Sequence, residues 1–224
     1  MSRRWVKKYL NEKEIADISN AVRAAELETS GDIVTMVVRR SAAVRHVPII
    51  LSLSLALLFL GLQFIGVNGW YLSDSLPFLD RHWTFQFVFI LLLALLAWWP
   101  AHFHPVQRAL TPTEDEKEQV EKRAQLEFFL HRLNRTHKKT AVLIFVSVME
   151  RRAVILADEG IAKKLPGNTW NEVMGPLSAH LRKGEWGTGF QDAIRRSGEL
   201  LKAHFPAEKG TVTHELGNHI IIKE

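Results

Sequence analysis

Two long windows of this chain carry no charged residue: none lies between Arg45 and Asp74, and none between Arg81 and Arg108. That feature constrains the fold most, because each window reaches the roughly 20 residues a helix needs to cross a bilayer. At about −0.3 to −0.6 kcal/mol for each Leu, Ile, Phe or Val near a helix centre, a run such as Ile49-Ile50-Leu51 followed by Leu57-Leu58-Phe59-Leu60 favours insertion. Two transmembrane helices are therefore expected over 47–67 and 83–101. Trp70, Tyr71 and Trp83 fall near the ends that face the short connection, and Trp98 and Trp99 at the far end of the second helix, where interfacial aromatics belong. Pro100 marks the exit. The competing reading is a buried helical hairpin in a soluble core, but core helices rarely run so far without a polar face.

Of the 224 residues, those outside the hairpin suffice for one soluble domain of ordinary size. The formal charge of +5 invites a nucleic-acid reading. Its distribution argues otherwise: Arg3, Arg4, Lys7, Lys8, Lys13, Arg39, Arg40 and Arg45 precede the first span, whereas the connecting loop carries only Arg81. That asymmetry places both termini in the cytoplasm and residues 68–82 on the opposite side, with the lipid bilayer and not nucleic acid as the partner. The chain has no cysteine, which removes disulfides and thiol chemistry.

Near the N-terminus, Trp5, Val6, Tyr9 and Leu10 alternate in pairs with Arg3, Arg4, Lys7 and Lys8, giving a helix with an apolar-aromatic face beside a cationic one. Such a face suits either an anionic lipid surface or packing onto the domain. Asn11 and Glu14 form a capping box, and Leu10 can staple onto Ile15. Ile15, Ile18, Val22 and Ala25 continue a helix that Thr29-Ser30-Gly31 should end, with Gly31 left-handed. Residues 33–38 read as an interior strand covered on both faces. Beyond the hairpin, Thr111-Pro112-Thr113-Glu114 starts a helix through Val120, Ala124, Phe128 and Leu133 to about Arg135. Strands follow over 141–148 and 153–157 across a turn at Glu150-Arg151. Asn168 should cap a helix disturbed by Gly175-Pro176, residues 184–189 should punctuate, 190–204 should be helical, and 218–222 form a short strand.

A lone strand at 33–38 leaves its backbone unsatisfied, so its partners must come from beyond the hairpin. The chain should then divide as 1–46, 47–104 and 105–224, with the first and last pieces forming one discontinuous domain. The expected fold class is α/β, a small central mixed sheet sandwiched by helices and interrupted by a transmembrane helical hairpin.

The segments Glu28-Thr29-Ser30-Gly31-Asp32-Ile33, Thr140-Ala141-Val142-Leu143-Ile144-Phe145-Val146-Ser147 and Arg151-Arg152-Ala153-Val154-Ile155-Leu156-Ala157-Asp158-Glu159-Gly160-Ile161 together resemble the TPM domain family. Gly184-Glu185-Trp186, Gly189-Phe190 and Ala193-Ile194 are similar to its turn and last main helix, and the tail from Glu215 to Ile221 to that of a two-span bacterial membrane subgroup. The resemblance implies an α/β sandwich, a bacterial inner-membrane location, and a function drawn from proposed acid phosphatases, calcium binders and assembly or accessory factors. Where many members carry Asp-Asn-Gly, this chain has Lys138-Lys139-Thr140.

For chemistry, Asp158 and Glu159 follow a strand beside Gly160, and with Asp32 they are the candidate ligands for calcium or magnesium and the candidate catalytic acids of a phosphatase. Adjacent acids at a strand end also suit a solvated turn. His131, Arg135, Lys138 and Lys139 form a basic patch suited to phosphate or lipid headgroups. His102-Phe103-His104 fits a membrane boundary better than a metal. No nucleotide-binding or serine-hydrolase fingerprint occurs. The leading expectation is an integral membrane protein whose cytosolic TPM-like domain is a binding, assembly or accessory module for another membrane or membrane-associated protein, with no cofactor. A divalent-metal-dependent phosphatase and a membrane-surface lipid-binding module are the alternatives.

Overall fold

The computed structural model describes residues 3–41, 46–64, 83–98, 113–131, 133, 139–207 and 217–224. The chain divides into two compact units, one of residues 1–42 with 116–224 and one of 43–115.

In the first unit, the Asn11 side chain accepts from the Glu14 amide and the Glu14 carboxylate from the Asn11 amide, both at 2.8 Å, so the capping box opens α1 (Glu12–Glu26). Ile18 and Val22 then bury one face of that helix. β1 (Asp32–Val38) is buried at all seven positions. Ile33 and Val37 enter the apolar cluster on one side of the sheet, and Val34, Met36 and Val38 that on the other, the period-two alternation of a strand covered twice. β2 (Ala141–Ser147) runs parallel to it in register Asp32↔Ala141 through Val38↔Ser147, and β3 (Arg152–Ala157) returns antiparallel to β2. β4 (Ile221–Lys223) pairs parallel with β1 only at Met36–Val38, and the sheet order is β3-β2-β1-β4. Residues on either side of the hairpin thus share a four-stranded mixed sheet.

In the second unit, α2 (His46–Phe64) and α3 (Trp83–Trp98) pack together, and Ser52 Oγ donates to the Ala94 carbonyl at 3.0 Å. Among the described residues no helix is long and apolar enough to cross a membrane. With 19 and 16 residues, the helices rise about 28 and 24 Å at 1.5 Å per residue, short of the roughly 30 Å of a hydrocarbon layer. Of the expected spans at 47–67 and 83–101, these helices cover 47–64 and 83–98, and residues 65–67 and 99–101 lie outside the described residues. Trp83 opens α3 and the Trp98 side chain is exposed near its end. Trp70, Tyr71, Trp99, Pro100, the 68–82 connection and His102-Phe103-His104 lie outside the described residues.

One face of the sheet is covered by α4 (Thr113–Leu130), which buries Val120, Ala124 and Phe128 with Leu133 just beyond. It ends five residues before the expected Arg135, which is outside the described residues. The other face carries α1, α6 (Asn171–Lys183) and α7 (Trp186–His204). The short α5 (Glu159–Ala162) precedes a 3-10 turn at Gly167–Trp170, so Asn168 sits in that turn instead of capping a helix. Pro176 lies inside α6 without breaking it, because its missing amide leaves only the Glu172 carbonyl, in the first turn, without a helical partner.

The N-terminal aromatic face belongs to the core. Arg3–Lys8 forms a 3-10 helix, Val6 and Leu10 are buried, and Tyr9 meets Trp186 edge-on with ring centroids 5.1 Å apart. This corrects the lipid-surface reading of that helix, since the residues that would enter lipid pack on the domain. Gly31 does not turn left-handed; among the described glycines only Gly184, at the end of α6, has a positive φ, 83°. The glycines beyond it do not break the chain either, and α7 begins at Trp186, four residues earlier than expected. They permit close helix packing: a Cβ on Gly189 would lie 2.9 Å from the His180 Cβ of α6, and one on Gly198 would lie 2.8 Å from the Ala25 Cβ of α1. Gly198→Val should therefore push α7 off α1 and destabilise the domain by about 1–3 kcal/mol, read as a lower urea midpoint at unchanged slope.

Candidate functional site

The start of β1, the start of β2 and the end of β3 lie at one end of the sheet, which brings the sequence-predicted acids into one neighbourhood. The Asp158 amide donates to the Ala141 carbonyl at 2.9 Å, and Asp32 is the register partner of the same Ala141. The Lys139-Thr140 and Asp158-Glu159-Gly160 segments meet there as well, the Gly160 amide donating to the Lys139 carbonyl at 3.1 Å.

Local chemistry gives these acids structural roles. Asp158 is the N-cap of α5, its Oδ1 accepting from the Glu159 amide at 2.7 Å, while Oδ2 is buried with no hydrogen-bond partner. Glu159 is exposed and lies between Lys163 at 2.7 Å and Lys139 at 3.1 Å. Hydrogen bonds from Lys163 and then Lys139 hold its carboxyl below the ordinary carboxylate range. Asp32 is buried, and its amide donates to the Thr140 carbonyl at 3.0 Å. Among the described residues no group of three or more His, Asp or Glu is arranged to hold a metal. A calcium or magnesium ion takes six or more oxygens. One orphaned carboxylate oxygen beside an acid already neutralised by two lysines does not fit that requirement.

The adjacent Glu28-Thr29-Ser30-Gly31 stretch is a structural clasp. Thr29 Oγ1 donates to the Phe205 carbonyl at 2.6 Å, the Ser30 amide to the same carbonyl at 3.0 Å, and the Ala207 amide to the Glu28 carbonyl at 3.2 Å. The buried Glu26 carboxylate accepts from the Ile33 amide at 2.9 Å and from the Asn218 side-chain amide at 2.6 Å, tying α1, β1 and the tail.

The predicted basic patch divides. Lys139 belongs to the Glu159 pair, Arg135 and Lys138 lie outside the described residues, and His131 joins a separate group on α4. There the buried Glu127 holds Arg123 Nη2 at 2.8 Å and Lys223 Nζ at 2.6 Å, with His131 Nε2 at 3.6 Å, beyond hydrogen-bond reach. Burial, and then the charge of Lys223, lowers the His131 pKa below its ordinary 6.5, against the opposing pull of Glu127.

A third group was not visible in the sequence. At the opposite end of the sheet, Ser41 Oγ donates to Ser147 Oγ at 2.8 Å, Ser147 donates to the Glu150 carboxylate, and Glu150 accepts from the Ser41 amide at 3.2 Å. No sequence signal links Ser41 to Ser147, 106 residues away, although carboxyl ends of parallel strands are where α/β sheets place ligands. The trio fastens the β1 exit to the turn that follows β2.

Residues 107–200 match the model of the TPM domain family. The match begins beyond the hairpin and does not include β1. The fold is similar to the NMR structure of the BA42 protein from the psychrophilic bacterium Bizionia argentinensis, with a TM-score of 0.59, 19% identity and coverage of 97% of each chain. At that identity the likeness concerns the fold. No curated protein matches the chain.

Two expectations follow from these assignments. Asp158→Asn keeps the capping oxygen and should leave stability nearly unchanged, whereas Asp158→Ala should cost about 1 kcal/mol; neither Mg²⁺ nor Ca²⁺ should raise the wild-type unfolding midpoint, as a native-state ligand would. For His131, the lowered native pKa means that its neutral form contributes stability above about pH 6.5, lost as pH falls through the lowered value. His131→Gln should therefore lose less stability than wild type across that acid window, measured by urea midpoints.

Proposed function

We propose that this protein is a membrane-anchored binding module, in which the α2–α3 hairpin sits in lipid and the α/β domain engages another membrane or membrane-associated protein. One observation carries the membrane part: Ile49, Leu53, Leu57 and Leu60 on α2, and Leu91 and Leu95 on α3, are about half exposed or more, on helices that contain no charged residue. A water-facing hairpin of that composition would be an aggregation liability, whereas lipid solvates it and the helices satisfy their own backbone. The uncharged sequence also continues past Phe64 and Trp98, which lengthens the apolar stretch toward a full span. The excess of Lys and Arg before the hairpin favours a bacterial inner-membrane protein with both termini cytoplasmic.

A binding role in place of catalysis is supported by how the ionisable groups are engaged. Glu26, Glu127, Glu150 and Asp158 each hold backbone or an ion pair inside the domain, and acid, base and nucleophile do not converge among the described residues. The phosphatase reading draws on Asp32, Asp158 and Glu159 at one sheet end and on the TPM match.

Alkaline carbonate extraction of membranes from expressing cells should leave the chain in the pellet; release into the supernatant would overturn the anchored reading. The purified full chain should release no phosphate from p-nitrophenyl phosphate with Mg²⁺ or Ca²⁺. Release that Asp158→Ala abolishes would replace the binding reading with the enzymatic one.

A further inference from the structure

β4 is the shortest strand of the sheet, and an ionic group ties it to α4. It makes three register pairs with β1, Met36↔Ile221 to Val38↔Lys223, and the Arg39 amide adds a bond of 3.0 Å to the Lys223 carbonyl. All three of its residues are only partly buried. α4, by contrast, is set against the sheet by the buried Val120, Ala124 and Phe128. A strand with so little buried apolar contact opens locally far more readily than the helix facing it, so the group that holds Lys223 decides whether β4 stays.

Lys223 Nζ reaches Glu127 Oε2 at 2.6 Å, and Arg123 Nη2 takes the other oxygen, Oε1, at 2.8 Å. His131 Nε2 lies 3.6 Å from the same Oε2, buried and with no hydrogen-bond partner among the described residues. One carboxylate oxygen thus faces two nitrogens, of which only that of Lys223 is bonded to it. The charged groups acting on His131 are Glu127 from α4 and Lys223 from β4, while β1 and β2 present the apolar Met36, Val38, Leu143 and Phe145 to this side of the sheet. A proton on His131 sets two cations against one buried oxygen, and both burial and the Lys223 charge oppose it. The conflict ends when Lys223 leaves, because the His131 imidazolium can then close on Oε2 as a donor. Glu127 keeps a counter-charge on each oxygen throughout, so the exchange avoids the penalty of an unpaired buried carboxylate.

We propose that His131 is a proton-operated release for β4: its protonation displaces Lys223 from Glu127, and the strand parts from the Met36–Val38 edge of β1. The device belongs to the α/β domain and depends on neither the membrane nor the binding reading.

Two backbone amides read the two edges of β1 separately. That of Arg39 donates to the Lys223 carbonyl on the β4 side, and that of Val148 to the Val38 carbonyl on the β2 side, both at 3.0 Å. Hydrogen exchange of the isotopically labelled full chain in detergent micelles, followed by NMR from about pH 7.5 to pH 5 and divided by the intrinsic rate at each pH, gives their protection. Arg39 should lose protection severalfold as pH falls while Val148 keeps its own, and in His131→Gln the Arg39 protection should stay flat. A flat Arg39 profile in the wild type overturns the proposal, as does a loss that persists in His131→Gln. Equal loss at Val148 also overturns it, since the sheet would then be opening as a whole. Lys223→Met supplies a reading that does not depend on exchange: with the opposing charge gone, the His131 ring should titrate at a higher pH than in the wild type. An unchanged titration would mean that Lys223 and His131 do not compete for Glu127, and the release would fall with it.

Discussion

β1 is buried on both faces along its whole length, and its backbone must find partners on both edges. One edge takes β2, which the chain reaches only after the hairpin and α4; the other takes β4, from the far end of the sequence. Because β4 covers only Met36–Val38, the start of that edge has no strand beside it among the described residues. There the Glu26 carboxylate receives the Ile33 amide and the Asn218 side chain together. A buried amide left without an acceptor costs about 1–3 kcal/mol, so one side chain at the end of α1 holds the start of the central strand and the tail. The discontinuity of the domain is a consequence of satisfying this single strand.

The helix on the other face is fastened in a related way. α4 presents an apolar middle to the sheet, and ionic groups near its two ends reach opposite edges: Glu116 lies 3.9 Å from Arg152 on β3, and Glu127 lies 2.6 Å from Lys223 on β4. Apolar contact alone would let the helix slide or rotate, because it has no preferred direction. The buried Glu127 binds it to one position, since displacement would strand a carboxylate away from water. These groups and the Ser41-Ser147-Glu150 fastening engage much of the buried charge in architecture.

Much of the architecture was readable from local pattern. The Asn11–Glu14 box, the interior character of 33–38 and the apolar stripe of α4 each depend on residues a few positions apart, as the physics that forms them does. Other signals were ambiguous because one residue type serves two purposes. Gly189 looked like a break yet is a place where α7 approaches α6, and Trp5 and Tyr9 suited lipid as well as the core they join. Asp158 beside Glu159 has the appearance of a ligand pair in the sequence; in the fold the first caps a helix and the second pairs with Lys139 and Lys163.

The amino-acid sequence by itself determined the element types, the two uncharged helices and the need for partners from beyond them, because helix caps, strand alternation and the cost of burying charge are short-range or compositional effects. Tertiary structure alone decided which polar groups meet. Glu26 with Asn218, Glu127 with Lys223 and Ser41 with Ser147 are pairs separated by 192, 96 and 106 residues. No local rule encodes such meetings; they arise only when the sheet closes and each buried polar atom must take the nearest complementary partner.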